Sequence, residues 1–333
     1  MNNPLQTVII PTYNRKEMLA EALDSVLNQS QKSLEVLIID DCSNDGTNEF
    51  VKNINDSRVH YFRNEKNSGP EFNRSYGLRQ SRGKYITFLD DDDYYTDYDF
   101  FSKAIKIFEE HDSENAPLSF VCANAEILYI ETGKKSNKYN IGTPGRVKGV
   151  DYILNCTKPL STFPTVFKAE ILHRAGLDNN GIFDTLTYRE VVLFGDTYFM
   201  SDYIGVYRIH KKSLTLGYLN NSKARTRFFA IVNEEARRLN ILVNNLYGRI
   251  DKKILDNWYE IAVFTELNQY AISIKSIKDI IKEMACFMKH SGFRPRLWAA
   301  LIKWSIRTSL SKITLLRKVF RFIKYRGKIP EDE

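Results

Sequence analysis

Several absences narrow the possibilities before any motif is considered. The 333-residue chain has only four cysteines, Cys42, Cys122, Cys156 and Cys286. They are scattered, without the paired spacing of a zinc site or a redox motif, and are expected to be reduced structural residues. No uninterrupted apolar run approaches the ~18 residues of a membrane-spanning helix. Met1-Asn2-Asn3-Pro4 leads straight into a strand pattern, with no basic head or long apolar stretch such as a signal peptide carries. The expectation is a protein made and kept in the cytoplasm. There is also no internal repeat and no low-complexity linker.

What is present describes a folded protein. Hydrophobic residues make up 43% and aromatics 13% of the chain, and its length allows a large core and more than one domain. The formal charge of +7 is uneven: Met284 to the end holds twelve Lys/Arg and three Asp/Glu, which leaves 36 basic and 38 acidic groups in residues 1–283. The basicity belongs to a tail, and an anionic membrane surface or nucleic acid are the partners such a tail suits.

Hydrophobic periodicity gives an alternating order. Thr7-Val8-Ile9-Ile10 reads as a buried strand closing at Pro11, and Met18, Leu19, Ala22, Leu23, Val26 and Leu27 recur at helical spacing. A strand from Leu34 to Ile39 ends on Asp40-Asp41, and Ser43-Asn44-Asp45-Gly46 makes a turn able to cap a short helix. Val59 to Phe62 gives a third strand, Pro70 to Gln80 a helix, and Tyr85 to Leu89 a fourth strand. This alternation predicts βαβ units on a mostly parallel sheet. From about Ala116 two strand-like runs follow, Leu118 to Cys122 and Ile127 to Ile130, and then the polar stretch Glu131 to Gly149. From Asn220 the pattern is helical.

The fourth strand runs directly into four aspartates, Asp90 to Asp93. Carboxylates at the carboxyl edge of an α/β sheet lie where such folds bind ligands and where a divalent cation can bridge phosphates. A solvated acidic loop or a helix N-cap is the plainer reading of the same run.

With these strand ends in place, the chain resembles an inverting family-2 glycosyltransferase over roughly residues 5 to 215. Pro11-Thr12-Tyr13-Asn14-Arg15 is similar to the family's PTYNR loop. Asp40-Asp41-Cys42-Ser43-Asn44-Asp45-Gly46-Thr47 is similar to its DDxSxDGT. Asn67, Gly69, Arg74 and Gly83-Lys84-Tyr85-Ile86 resemble the segment leading into its DXD motif, here Asp90 to Asp93. The resemblance implies a GT-A fold: a Rossmann-like, mostly parallel mixed sheet with flanking helices, followed here by a helical C-terminal region. The expected boundaries are a catalytic domain at 1–219, with a nucleotide-sugar half at about 1–115 and an acceptor half at about 116–219, and a helical region at 220–333.

The resemblance also implies roles. A nucleotide-sugar donor presents a flat base, a ribose and a diphosphate whose departure builds negative charge. Pro11 and Tyr13 are expected around the base, Asp41 as acceptor of its ring N–H, and Arg74 either as a phosphate contact or as a surface residue of its helix. Asp90 or Asp91 is expected at the ribose, and Asp92 with His210 at Mg²⁺ or Mn²⁺. Asp93 is expected to cap the following segment. Inversion needs a base on the face opposite the leaving group. Counting back from Tyr207-Arg208-Ile209-His210 and Gly195 places Asp184 there. Phe183-Asp184 also fits the family's upstream FDE element, in which case Glu190 or Asp196 takes the role.

In the tail, Leu315, Leu316, Val319, Phe320 and Ile323 share one side of a helical wheel and Arg317, Arg321 and Lys324 another, as in an interfacial helix on anionic lipid. Peripheral attachment to the cytoplasmic face of the membrane and a glycan or lipid-linked acceptor would follow. A nucleic-acid partner is disfavoured, because the basic and aromatic residues are not interleaved in the site-bearing half. A nucleotidyltransferase usually carries a Gly-rich basic loop after its first strand, which Pro11-Thr12-Tyr13-Asn14 is not. A binding protein without catalysis stays open should Asp184 not be the base.

Overall fold

The computed structural model describes residues 3–136, 143–149, 151–152, 161–211, 213 and 237–238. The chain divides between His210 and Lys211 into two units. The expected boundary at 219/220, the helical region and the basic tail lie outside the described residues.

Strands and helices alternate through the first half: β1 (Gln6–Thr12), α1 (Lys16–Leu27), β2 (Leu34–Asp40), α2 (Thr47–Lys52), β3 (Val59–Arg63), α3 (Pro70–Gln80) and β4 (Tyr85–Phe88). Then come β5 (Tyr94–Tyr95), α4 (Phe100–His111), β6 (Leu118–Tyr129), β7 (Lys134–Ser136), β8 (Gly145–Val147), β9 (Thr165–Lys168), α5 (Ala169–Arg174), α6 (Leu177–Asn180), α7 (Asp184–Val191) and β10 (Asp196–Ile209). The sheet runs β3-β2-β1-β4-β9-β6-β10-β5, with β7 on β6 and β8 on β10.

β1 and β2 are buried along their whole length, as expected for parallel strands covered on both faces. α1 lays Leu19, Ala22, Leu23 and Val26 on the sheet, where they join Val8, Ile10, Val36 and Ile38 in one core. No side chain of its own N-cap residue, Arg15, closes α1. Asp45 from the loop after β2 does so instead, accepting from the Lys16 N–H at 3.0 Å and from Thr47, so one carboxylate fixes the starts of α1 and α2 together.

Two boundaries differ from the sequence reading. The first strand continues through Pro11 to Thr12. Its pairing with β4 ends at Ile9↔Phe88 while its pairing with β2 continues to Thr12↔Asp40, so Pro11 falls where one flank has already left the ladder and its missing N–H is tolerated. The run Leu118–Cys122 and the run from Ile127, which ends at Tyr129 and not at Ile130, form one strand, β6, because the polar residues between them, Asn124 and Glu126, still find partners along β10.

Strand direction positions the site. β4 pairs antiparallel with β9, β9 antiparallel with β6, and β6 parallel with β10. Two reversals restore the original direction. The end of β10, and with it His210, therefore reaches the same sheet edge as the ends of β1, β2 and β4. Asp196 opens β10 and lies at the opposite edge, fourteen residues earlier, on the order of 40 Å along an extended chain.

Gly83 shows how tightly the opposite edge is closed. A Cβ there would stand 2.5 Å from Thr7 Oγ1, 2.6 Å from Thr7 N and 2.9 Å from the Gln6 carbonyl carbon, and backbone cannot yield as a side chain can. Gly83→Ala is expected to lower stability by about 1–3 kcal/mol. Denaturant unfolding checks this, and an unchanged midpoint would contradict it.

Candidate active site

The carboxyl edge of the sheet carries Thr12-Tyr13-Asn14-Arg15 after β1, Asp40-Asp41 at the end of β2, Asp90 to Asp93 after β4 and His210 after β10. Each loop is tied to another. Asn14, at φ 53°, receives a hydrogen bond from the Asn44 N–H at 2.8 Å and donates its own N–H to Ser43 Oγ at 2.9 Å. Asp40 accepts from the Ser43 N–H at 2.9 Å and from Tyr61 Oη at 2.5 Å.

The four aspartates have four different environments. Asp90 accepts from Arg74 Nη2 at 2.5 Å. Asp91 is buried and accepts from Thr12 Oγ1 at 2.7 Å, the Tyr13 N–H at 3.4 Å and Arg15 Nη1 at 2.6 Å. Asp92 Oδ2 accepts from the same Arg15 nitrogen at 2.8 Å and lies 3.0 Å from His210 Nε2. Asp93 is fully buried and accepts from the Arg208 N–H at 2.9 Å. Asp93 thus caps nothing: the next helix, α4, starts at Phe100, and the carboxylate turns inward to fasten β10.

Crowding shapes their charge. Burial pushes the Asp91 carboxyl up to about 7 against the opposing pull of Arg15. Burial also raises Asp90, with Arg74 opposing, and raises Asp93 well above the carboxylate range, helped by the charges of Asp92 and Asp90. At Asp92 burial acts the same way, but the His210 hydrogen bond and the Arg15 charge outweigh it and hold the carboxyl below its usual value. Asp92 is therefore the carboxylate best kept ionised.

The donor set fits a hard divalent cation. Asp90, Asp92 and Asp93 each offer an oxygen, all within 4.8 Å of one another, and Asp93 Oδ2 is buried without a hydrogen-bond partner. His210 Nε2, 3.0 Å from Asp92 Oδ2, would add a nitrogen donor beside these oxygens.

The remaining expected residues fall as follows. Tyr13 is 47% exposed beside the site, while Pro11 lies within β1. Asp41 is 2% exposed, and its oxygens accept from Asn64 Nδ2 at 2.9 Å and from the Ser68 and Gly69 N–H groups at 2.8 Å. About four lone-pair positions exist on a carboxylate, so three donors leave room for one more. Arg74 is not a surface residue of α3 but is buried between Asp90 and Asp184 Oδ1, the latter at 3.0 Å. Asp184 begins α7, and its side chain is 46% exposed. Of its rivals, Glu190 is 2% exposed at the far end of that helix, and Asp196 pairs with Arg146 at the opposite edge.

Two arginines at this edge were given no role by the sequence. Arg15 bridges Asp91 and Asp92. Arg208 donates its N–H to Asp93 and its guanidinium to the Asp92 carbonyl and to Glu21, over the Tyr94 ring at 5.0 Å. The signal was their position inside the PTYNR and Tyr-Arg-x-His segments.

Comparison with known proteins agrees with this architecture. Residues 7–162 match the model of glycosyl transferase family 2. Over 327 residues, 94% of this chain and 98% of the relative, the sequence is 28% identical to the GalNAc(5)-diNAcBac-PP-undecaprenol beta-1,3-glucosyltransferase of Campylobacter jejuni subsp. jejuni. A shorter match, 37% identical over 91 residues, covers 27% of this chain and 36% of the UDP-Glc:alpha-D-GlcNAc-diphosphoundecaprenol beta-1,3-glucosyltransferase WfaP of Escherichia coli. Among solved structures, S. aureus TarS 1-349 in complex with UDP-GlcNAc superposes with a TM-score of 0.66 at 17% identity, over 98% of this chain and 93% of that one. The fold is GT-A, and the family-2 glycosyl transferase match lies on residues 7–162. The family match ends before Asp184 and His210.

The raised Asp91 carboxyl gives a pH signature. Its folded value lies above the usual 3.8, so between about pH 4 and 7 the folded state binds more protons than the unfolded one, and stability falls as pH rises through this window. In metal-free buffer the stability of wild type relative to Asp91→Asn is expected to decline from pH 4 to 7. A flat or rising difference in melting temperature would contradict the assignment.

Proposed function

We propose that the chain is a metal-dependent inverting family-2 glycosyltransferase. It moves one sugar from a nucleotide donor, UDP-linked, to a hydroxyl of a lipid-linked glycan. The observation that carries the reading is the meeting of Asp92 and His210, 118 positions apart, at the edge where Tyr13, Asp41 and Asp90 also converge. The names of the relatives support the acceptor class: the Campylobacter and Escherichia enzymes are named for undecaprenol-diphosphate-linked substrates. The TarS complex supports a UDP-linked donor.

In this reading Tyr13 and Pro11 border the base, and the open position on Asp41 takes its ring N–H. Asp90, the more open of the first two aspartates, faces the ribose, while Asp91 braces the loop after β1. Asp92 and His210 hold Mg²⁺ or Mn²⁺, which neutralises charge on the departing diphosphate when bound. Arg74 supplies positive charge to the same side while holding Asp90 and Asp184 in place. Asp184 accepts the proton of the acceptor hydroxyl as that oxygen forms its bond to the anomeric carbon and the bond to the diphosphate breaks on the opposite face. The domain division at 219/220 and peripheral attachment through the basic tail belong to the same proposal. No described helix is long and apolar enough to cross a membrane.

The test is release of UDP from UDP-sugars, with and without an undecaprenol-diphosphate-linked glycan. Excess EDTA and Asp92→Ala should each abolish it. Asp184→Asn should lower turnover by ~10²–10⁴ with donor binding nearly intact. Full activity in EDTA would remove the metal from the account, and a collapse in Glu190→Gln with Asp184→Asn active would move the base.

A further inference from the structure

Arg15 stands beside the expected cation site and shares one of its ligands. Its Nη1 lies 2.6 Å from Asp91 Oδ1 and 2.8 Å from Asp92 Oδ2, and the same Asp92 oxygen lies 3.0 Å from His210 Nε2. A carboxylate oxygen has two in-plane lone pairs; a divalent cation entering between Asp92 and His210 would take the one that faces His210, while the Arg15 guanidinium sits on the other. Two positive groups on one oxygen repel strongly, so the guanidinium is driven to withdraw.

The geometry allows that withdrawal. The Arg15 side chain is 20% exposed, against 13% for Asp92 and 4% for Asp91, so it covers the two acids from the solvent side. Its backbone is anchored next door, where Asp45 holds the Lys16 N–H, so only the side chain need move. Asp91 remains as a buried partner at the shorter of the two distances.

We propose that Arg15 is the placeholder of the cation site, a positioning residue that occupies Asp92 in the donor-free protein, yields it to the divalent cation and stays tied to Asp91. This rests on reading Asp92 and His210 as cation ligands. Without nucleotide, displacement of Arg15 opposes metal binding. With a nucleoside diphosphate present, the released guanidinium gains an anionic neighbour and the opposition falls. Arg15 thereby couples the cation to the diphosphate, so that metal binds weakly alone and tightly with nucleotide.

Mn²⁺ titration followed by the electron paramagnetic resonance of free aqueous Mn²⁺ tests this, with and without UDP, in wild type, Arg15→Gln and Arg15→Lys. Arg15→Gln is expected to bind Mn²⁺ alone roughly tenfold or more tightly than wild type, because a positive charge has left the cluster, and to show a smaller gain on adding UDP. Arg15→Lys keeps the charge and should stay near wild type. Loss of structure would weaken binding, so the sign separates the two causes. Equal or weaker Mn²⁺ binding by Arg15→Gln, or Arg15→Lys behaving like Arg15→Gln, overturns the placeholder role. If Arg15→Gln does not fold, Arg15→Met gives the same reading. Absence of Mn²⁺ binding in wild type even with UDP overturns the metal reading itself, a result distinguishable from failure of the placeholder alone.

Discussion

Four adjacent carboxylates at one strand end repel one another, and most of the site is arranged to relieve that repulsion. Arg74 takes Asp90, Arg15 takes Asp91 and Asp92, and the Arg208 backbone takes Asp93. His210 completes the set at Asp92. These groups come from three different elements, so the acidic run also fastens the loop after β1, helix α3 and the end of β10 together. Low dielectric makes such contacts strong and makes any unpaired member costly.

The same arrangement connects the proposed donor and acceptor halves. Arg74 sits between Asp90, which follows β4, and Asp184, which opens α7. A carboxylate placed on the donor side and one placed on the proposed acceptor side therefore share one buried cation. On the proposed mechanism, this bridge sets the distance between leaving group and base, and positioning of that kind is a large part of catalysis.

Much of the fold was legible because local periodicity and global topology agree. Continuous apolar runs read as buried parallel strands, and Pro70 and Gln80 bounded α3 at the residues observed. The strand through Pro11 was not legible, since proline's tolerance there depends on β4 parting from β1 after Ile9, a fact of pairing and not of sequence. Asp93 was misread as a cap because identical neighbours in a run look alike until alternation sends one inward to β10. Arg74 looked like a surface residue because α3 has little apolar character, yet the helix buries Asn73, Arg74 and Ser75 against a polar site. Arg15 and Arg208 lay inside recognised segments, but their partners are 76 and 115 positions away, beyond any local signal. The family motifs pointed to this sheet edge; the structure shows which charges meet there.

The central claim is that Asp92 and His210 jointly hold the cation that accompanies the nucleotide. Pulsed electron paramagnetic resonance of the Mn²⁺–UDP complex reads this directly, because a ligating imidazole imposes nitrogen modulation on the manganese signal. The account expects that modulation in the wild-type protein and its loss in His210→Gln, with Mn²⁺ still bound through carboxylates. Mn²⁺ bound with no nitrogen modulation in wild type, or with the modulation unchanged in His210→Gln, would contradict it.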